Sequence, residues 1–358
     1  MSRCFVRLQI VLAVLLCINI SSPSAEQNKT SLPSPVLDQV RAKNKPWRFV
    51  VFGDTRDSKK NTETGISPFL GQLAKKIADE KPALVIHVGD LANGFHTDKS
   101  SPMHGKYHKM FQNWKSAIKP IYNFDTRKGI PIYVVRGNHE DGSLITNNYL
   151  KDAYLVEIAP YMPQNGPEKE KGLTYTVQYN QATFIALDEY SIKEFGILRG
   201  LIDLPWLNKQ LDRRTPFMFV FGHVPAYKVS DEKGGPFPDL YSYPKHRDAF
   251  WGSLGRAGVQ MYFCGHVHFY CRVTKDDIQQ VLIGNGGANL VDFNPKNVDP
   301  AVKLDFPTSE RKSPIGEVSY VLFTVDENAK TVHAVQMVWN EGAQTWVSGD
   351  QFAAHASY

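Results

Sequence analysis

The chain has 358 residues, 42% apolar and 22% charged, the balance of a globular protein rather than a disordered or fibrous one. Its formal net charge of +5 is a weak excess, so neither nucleic acid nor a membrane surface is an expected partner.

Arg3 and Arg7 precede a nearly continuous apolar run from Leu8 to Ile20, and Pro23-Ser24-Ala25 offers small residues for cleavage. That order is the layout of a secretory signal peptide. Residues 1–25 are therefore read as an export signal, and the mature protein as secreted or periplasmic with no stable membrane association. The run is shorter than the roughly 20 apolar residues of a comfortable span, and an uncleaved anchor is the alternative. A lipid-anchored Cys17 is disfavoured by Leu16, where a small residue is needed. Without this segment the charge falls to +3, and Cys264 and Cys271 remain. Export permits a disulfide between them. Their spacing does not show that their Cβ atoms face each other, and two buried free thiols are the favoured reading.

Residues 26–45 are polar, with serines, prolines and lysines, and read as a flexible leader. The domain is placed at 46–340, with 341–358 as a C-terminal tail. Trp47–Phe52 is an apolar strand ending in Gly53-Asp54. Ser67-Pro68 suits a helix start, and Phe69, Leu73 and Ile77 share one helical face until Lys81-Pro82 stops it. Ala83–Val88 is a second strand, ending in Gly89-Asp90. A helix around His108–Ile118 leads to a third, Ile130–Val135, ending in Arg136-Gly137-Asn138-His139. Strands alternating with helices predict right-handed crossovers and a parallel sheet, with ligands at the carboxyl edge. Leu173–Tyr179 and Ala182–Leu187 read as a hairpin, and Leu204, Leu207 and Leu211 as one face of a helix. Phe217–Phe221 and Val259–Cys264 are strands ending in Gly-His, and Val318–Val325 with Thr331–Trp339 form a late hairpin. A second, more antiparallel set of strands is expected to pack on the first sheet.

The strand ends deliver Asp54, Asp90, Asn138, His139, His223, His266 and His268, most of them beside a glycine that lets the backbone turn and approach a ligand. Carboxylate, amide oxygen and imidazole together suit Zn, Mn or Fe better than Ca or Mg alone. Two such ions roughly 3.5–4 Å apart can clamp the attacking and leaving oxygens of a phosphoryl displacement, with a shared carboxylate as bridge and a hydroxide between them as nucleophile. Gly-Asp at a strand end is by itself usually a turn. Gly265-His266-Val267-His268 is more specific, because the imidazoles of an extended His-x-His point to opposite sides and suit two ions.

In this order Gly53-Asp54, Gly89-Asp90, Gly137-Asn138-His139-Glu140, Gly222-His223 and Gly265-His266-Val267-His268 resemble the five blocks of the calcineurin-like metallophosphoesterases. The resemblance runs from Trp47 to about Gly287. It implies an α/β fold, a four-layer α/β/β/α sandwich of two mixed β-sheets with helices outside. Tyr270 and Arg272 resemble the purple acid phosphatase branch. Block by block it implies that Asp54, Asp90 and His268 bind a first metal. Asp90 bridges to a second, completed by Asn138, His223 and His266. His139 stands near the leaving group, as general acid or as stabiliser of developing charge.

Two positions depart from the pattern. Where the family often has Asp-x-His, this chain has Asp54-Thr55-Arg56, and a guanidinium is a poor ligand. Arg56 is expected to grip the substrate phosphate instead. Asn93 stands where phosphoprotein phosphatases have an Asp and purple acid phosphatases an iron-binding Tyr, and is expected to orient His139. His104 and His108, four apart, would share a helical face as substitute ligands, although solvation is the commoner fate. His87, Tyr107, Trp114, Phe124 and Trp251 are read as core, and Lys245-His246-Arg247 as a solvated loop. The expected function is hydrolysis of small phosphate monoesters. The rivals are a phosphodiesterase, a degenerate member that binds metal or phosphate without turnover, and a phosphoprotein phosphatase.

Overall fold

The structure, a computed structural model, describes residues 45–57, 63–94, 99–141, 149–191, 200–230, 239–306 and 318–357. All belong to one unit, Ser34–Tyr358. The expected export signal, and the expected leader apart from its last residue, lie outside the described residues.

In chain order the elements begin with β1 (Trp47–Phe52), α1 (Leu70–Asp79), β2 (Leu84–His87), α2 (Tyr107–Ala117), β3 (Tyr122–Asn123), β4 (Lys128–Gly129) and β5 (Ile132–Val134). Then come α3 (Asn138–Asp141), α4 (Tyr149–Glu157), β6 (Tyr175–Tyr179), β7 (Ala182–Ala186), α5 (Leu204–Leu211), β8 (Phe217–Phe221) and α6 (Pro244–Ala257). The last are β9 (Met261–Cys264), β10 (Tyr270–Lys275), β11 (Ile278–Ile283), β12 (Lys303–Phe306), β13 (Ser319–Asp326), β14 (Thr331–Asn340) and β15 (Thr345–His355). No described helix is long and apolar enough to cross a membrane.

Two large mixed sheets carry the fold, ordered β15-β14-β13-β1-β2-β5 and β12-β10-β11-β9-β8-β7-β6. Alternation within each strand decides what faces what. Phe49 and Phe323 of the first sheet meet Phe184, Phe219 and Phe263 of the second: Phe49 stacks on Phe323 at 4.6 Å and reaches Phe184 and Phe219 at 5.1 Å each. The neighbouring residues face outward. Phe52 packs on His87, which meets Trp114 of α2, whereas Met218, Val220 and Tyr262 join Leu207, Phe250, Trp251 and Leu254 of α5 and α6 in a second cluster. Burying each such aromatic ring stabilises the fold by about 1.5–3 kcal/mol, and well-placed ring pairs add about 0.5–1.5 kcal/mol.

The second sheet is not the more antiparallel one. In the first sheet the parallel strands β1-β2-β5 form one end and the antiparallel β13, β14 and β15 the other, whereas in the second the parallel run β7-β8-β9-β11 lies between antiparallel strands. The late hairpin, β13 and β14, joins the first sheet beside β1. Of the expected tail at 341–358, the described residues 341–357 are not a tail either. Within them β15 pairs with β14 along its length, and Ser357 Oγ accepts from Gln260 Nε2 at 2.6 Å. Lys245-His246-Arg247 lie in the first turn of α6, not in a loop. Pro244 opens that helix, and Phe250, Trp251, Leu254 and Ala257 bury its inner face. His246 Nε2 accepts from Ile202 N, and Arg247 pairs with Asp299. At α1 the helix begins at Leu70, after a turn in which Ser67 Oγ caps Phe69 N at 3.2 Å. Cys264 and Cys271 are buried and free.

Candidate metal centre

The parallel strands β1, β2 and β5 of one sheet, and β8 and β9 of the other, end at a common edge. Asp54, Asp90 and His266 turn the chain there with φ of 53°, 55° and 73°, a region that costs a non-glycine residue about 1–3 kcal/mol. The strain is held by bonds across the edge. Asp54 N donates to Gly89 O, and His266 N donates to the Asp54 carboxylate at 3.1 and 3.2 Å. The adjoining glycines are needed for room. A Cβ on Gly137 would stand 2.1 Å from Asp90 Oδ1, and one on Gly265 2.2 Å from Asp54 Oδ2.

At the second metal position, the group on the far side of each ring sets its tautomer. His223 Nδ1 donates to Val88 O at 2.7 Å, so Nε2 carries the lone pair. Asp239 Oδ2 lies 3.5 Å from His266 Nε2, which favours the proton there and leaves Nδ1 as the ligand atom. His223 Nε2 is then 3.0 Å from Asn138 Oδ1, 3.3 Å from His266 Nδ1 and 3.4 Å from Asp90 Oδ1, with Asn138 Oδ1 2.9 Å from His266 Nδ1. Ligands about 2.1 Å from one ion lie about 3.0–3.4 Å apart along the edges of its polyhedron. The residues present fit a metal ion, because acceptor atoms turned toward one another are stabilised by a cation between them. Burial pushes the pKa of His223 down to about 4, with His266 adding to it and Asp90 opposing, so the ring is neutral near pH 7 as a ligand must be.

At the first position, ligand atoms of Asp54, Asp90 and His268 lie within 4.8 Å of one another. His268 Nδ1 donates to Asn289 O at 2.7 Å, so its Nε2 faces Asp54 Oδ1 at 3.6 Å. Burial and the Arg56 charge push the His268 pKa down to about 3. Burial, and then the charge of Asp90, raise that of Asp54. Asp90 titrates below the usual carboxylate range: burial works to raise it, but His139, His223 and Arg56 outweigh that. Arg56, expected to grip a phosphate, lies with Nη2 3.2 Å from His268 Nε2 and Nε 3.7 Å from Asp90 Oδ2.

A sequence model of the family described as calcineurin-like phosphoesterase matches residues 48–270, more than half of the chain. The protein belongs to the calcineurin-like phosphoesterase family. Among solved structures, a purple acid phosphatase from yellow lupin (Lupinus luteus) seeds is similar over 88% of this chain, at 18% identity and a TM-score of 0.59. The match covers 55% of the lupin protein, so this chain spans about half its length. GAP50, the anchor in the inner membrane complex of Plasmodium, is 12% identical over 87% of this chain and 90% of its own, with a TM-score of 0.49. A predicted phosphoesterase from Streptococcus pneumoniae is 11% identical over 87% of this chain and 98% of its own, at 0.35. No curated protein sequence matches the chain.

The residues that hold this candidate centre in shape are mostly ones the sequence does not reveal. Glu140, in the third block but without an assigned role, accepts from the backbone N–H groups of Asp90, Leu91, Ala92 and Gly137 at 2.7–3.3 Å. It thereby ties the second block to the third. Glu189 accepts from His223 N and Val224 N at 2.8 Å and from the Tyr262 hydroxyl at 2.7 Å. Arg136 forks onto Asp188 at 2.6 and 2.9 Å and reaches Asp141 at 3.4 Å, clamping the strand end before Asn138. The signal for Glu140 and Arg136 is adjacency to the ligands; Glu189, Asp239 and Asn289 have none. His139 stands beside Asp90, its Nε2 3.7 Å from Oδ2. Its Nδ1 donates to the backbone carbonyl of Asn93 at 2.5 Å, so position 93 orients the ring through its main chain.

The other candidates fall elsewhere. His87 packs in the core, hydrogen-bonded to Thr55 Oγ1. His104 lies in the turn before α2 rather than on it, and His108 pairs with Glu157 at 3.1 Å. Trp114, Phe124 and Trp251 are core, and Tyr107 packs against it half-buried. Tyr270 and Arg272 hold the end of the chain: the Tyr270 hydroxyl donates to Asp350 Oδ2 at 2.9 Å and Arg272 Nε at 2.8 Å, fixing β15 to β10.

Proposed function

We propose that the protein is an exported, metal-dependent hydrolase of small phosphate monoesters. The observation that carries this reading is the convergence of Asn138 Oδ1, His223 Nε2, His266 Nδ1 and Asp90 Oδ1 at the separations of ligands around one ion. An ion held there supplies Lewis acidity and electrostatic stabilisation of the phosphoryl oxygens. Amide, carboxylate and imidazole donors favour Zn, Mn or Fe. The chain's own residues do the rest. Glu140 fixes the loop that carries Asp90, and near-complete burial of these side chains keeps bulk water out. His139 carries the proton of Nδ1 on Asn93 O, so in its doubly protonated form Nε2 presents a second proton toward a leaving oxygen. Arg56 and His139 flank the site with positive charge, which favours the dianion of a monoester over the monoanion of a diester. Residues 1–25 give the reading its export, and N-terminal sequencing of exported protein is expected to begin near Glu26, with retention of Met1 contradicting it.

A second reading, a member that binds phosphate or metal without turnover, is favoured by one observation: Arg56 Nη2 engages the ligand nitrogen of His268. Matched chromogenic mono- and diesters, offered to chelated protein reloaded with Zn, Mn, Fe or Mg, separate the readings. Faster cleavage of the monoester, dependent on the ion, is expected. Preferential diester cleavage would make it a phosphodiesterase, and no cleavage with any ion a binder.

A further inference from the structure

We infer that the guanidinium of Arg56 takes the place of the first metal ion, so that the protein loads one ion, at Asp90, Asn138, His223 and His266. The inference rests on the metal-dependent reading above and sets its stoichiometry. Five observations carry it. His268 Nδ1 donates to Asn289 O at 2.7 Å, which leaves Nε2 as an acceptor, and Arg56 Nη2 donates to that acceptor at 3.2 Å. The lone pair that would bind an ion is thus engaged by a cation from the chain itself. Arg56 Nε lies 3.7 Å from Asp90 Oδ2, the oxygen turned away from His223. The group is held in place: Nη1 donates to Asp57 O at 3.2 Å, Arg56 N donates to Asp90 O at 3.2 Å, and the residue bridges to Ile66. Finally, it is largely enclosed, with 14% of its side chain exposed.

An ion at bonding distance from His268 Nε2 would meet the guanidinium as a like charge and would have to displace its hydrogen bond. A guanidinium keeps its charge at any ordinary pH, so the displacement cannot be relieved by losing a proton. Asp54 and Asp90 therefore find one positive charge at the first position from Arg56, and the second position, where ligand atoms meet as acceptors, takes the ion. The first position becomes a permanent part of the protein, independent of metal supply.

The test counts ions on the full chain. Protein is stripped with chelator, reloaded with Mn(II) or Zn(II), desalted, and its metal content measured by elemental analysis. One ion per chain is expected in the wild type and in His268→Ala, none in His223→Ala, and two in Arg56→Ala. The Mn(II) electron spin resonance of the wild type is expected to be that of an isolated ion, and that of Arg56→Ala to show a coupled pair. Two firmly held ions in the wild type would overturn the inference, as would loss of the ion in His268→Ala with retention in His223→Ala. These wild-type and histidine measurements decide the matter even if Arg56→Ala does not fold. A wild type that binds no ion would overturn the metal-dependent reading and this inference together, which tells the two failures apart.

Discussion

At the second metal position Asn138, His223 and His266 present acceptor atoms to one another, each imidazole braced from behind by Val88 O or Asp239. At the first, the same kind of imidazole, His268, is braced by Asn289 O in the same way but faces the guanidinium of Arg56. Bracing alone therefore does not make a metal site. It sets which nitrogen carries the lone pair, and what that lone pair meets decides whether an ion is held. One substitution in the first block, where a histidine is common in the family, changes what half of the centre is built to hold.

The largest effect that would break this contrast is at His223. His223→Ala removes a ligand that also touches Asn138 and His266, and no neighbour replaces it. Turnover should fall by about three orders of magnitude or more, measured as kcat on a chromogenic monoester. Turnover within tenfold of wild type would show that the second position is not where the chemistry occurs. Next is Glu140→Gln. Glu140 binds four backbone N–H groups through two oxygens, whereas a glutamine offers one oxygen and turns an NH2 toward the others. Asp90 then loses its fixed position, and metal affinity should fall about 10–100-fold, as for other outer supports. A competition titration against a chelator measures it, and unchanged affinity would mean that Asp90 needs no brace.

Much of the second position is legible in the sequence because its ligands are local signals: a glycine, a ligand, and an apolar strand before them. Gly137-Asn138 and Gly222-His223 need no knowledge of the fold to be noticed. The braces are not legible, because Asp239 and Asn289 come from loops whose position depends on packing. Arg56 shows in sequence only that a ligand is replaced; that it reaches His268, 212 positions away, is a fact of the folded edge. The same limit applies to β15. Most of its side chains are exposed and Gly349 interrupts it, so no alternation marks it as a strand. The α6 helix hides behind a charged first turn and two internal glycines, Gly252 and Gly255.

Two further substitutions sharpen the contrast by moving stability and leaving the ion in place. Asp350→Ala removes the acceptor of Tyr270 and Arg272 and unties β15 from β10. Arg272 keeps Asp305 at 3.4 Å, so the loss should be about 2–4 kcal/mol of folding stability, read by denaturant unfolding, with metal content unchanged. A variant as stable as wild type would show that β15 is held by its strand pairing alone.

The smallest effect concerns the frame behind Asn138. Glu170 accepts from Thr174 Oγ1 at 2.5 Å, Thr174 Oγ1 accepts from Asp188 N at 3.0 Å, and Asp188 receives the fork of Arg136. Burial raises the pKa of Glu170 to about 7, and the charge of Asp188 adds to it, against the Thr174 hydroxyl. Because this exceeds the ordinary value of 4.5, the folded state prefers the protonated acid. The contribution of Glu170 to stability is complete below pH 4.5 and is lost as pH rises through about 7. Glu170→Gln resembles the neutral acid and still offers an oxygen to Thr174, so it should escape that loss. The variant should match the wild type near pH 5 and exceed it by up to about 3 kcal/mol near pH 8, in unfolding measured at both pH values. Metal content should not move, since Glu170 bonds Thr174 rather than any proposed metal ligand. Equal stability gaps at the two pH values would show that Glu170 is ionised throughout and that Thr174 and its neighbours compensate its charge in the folded state.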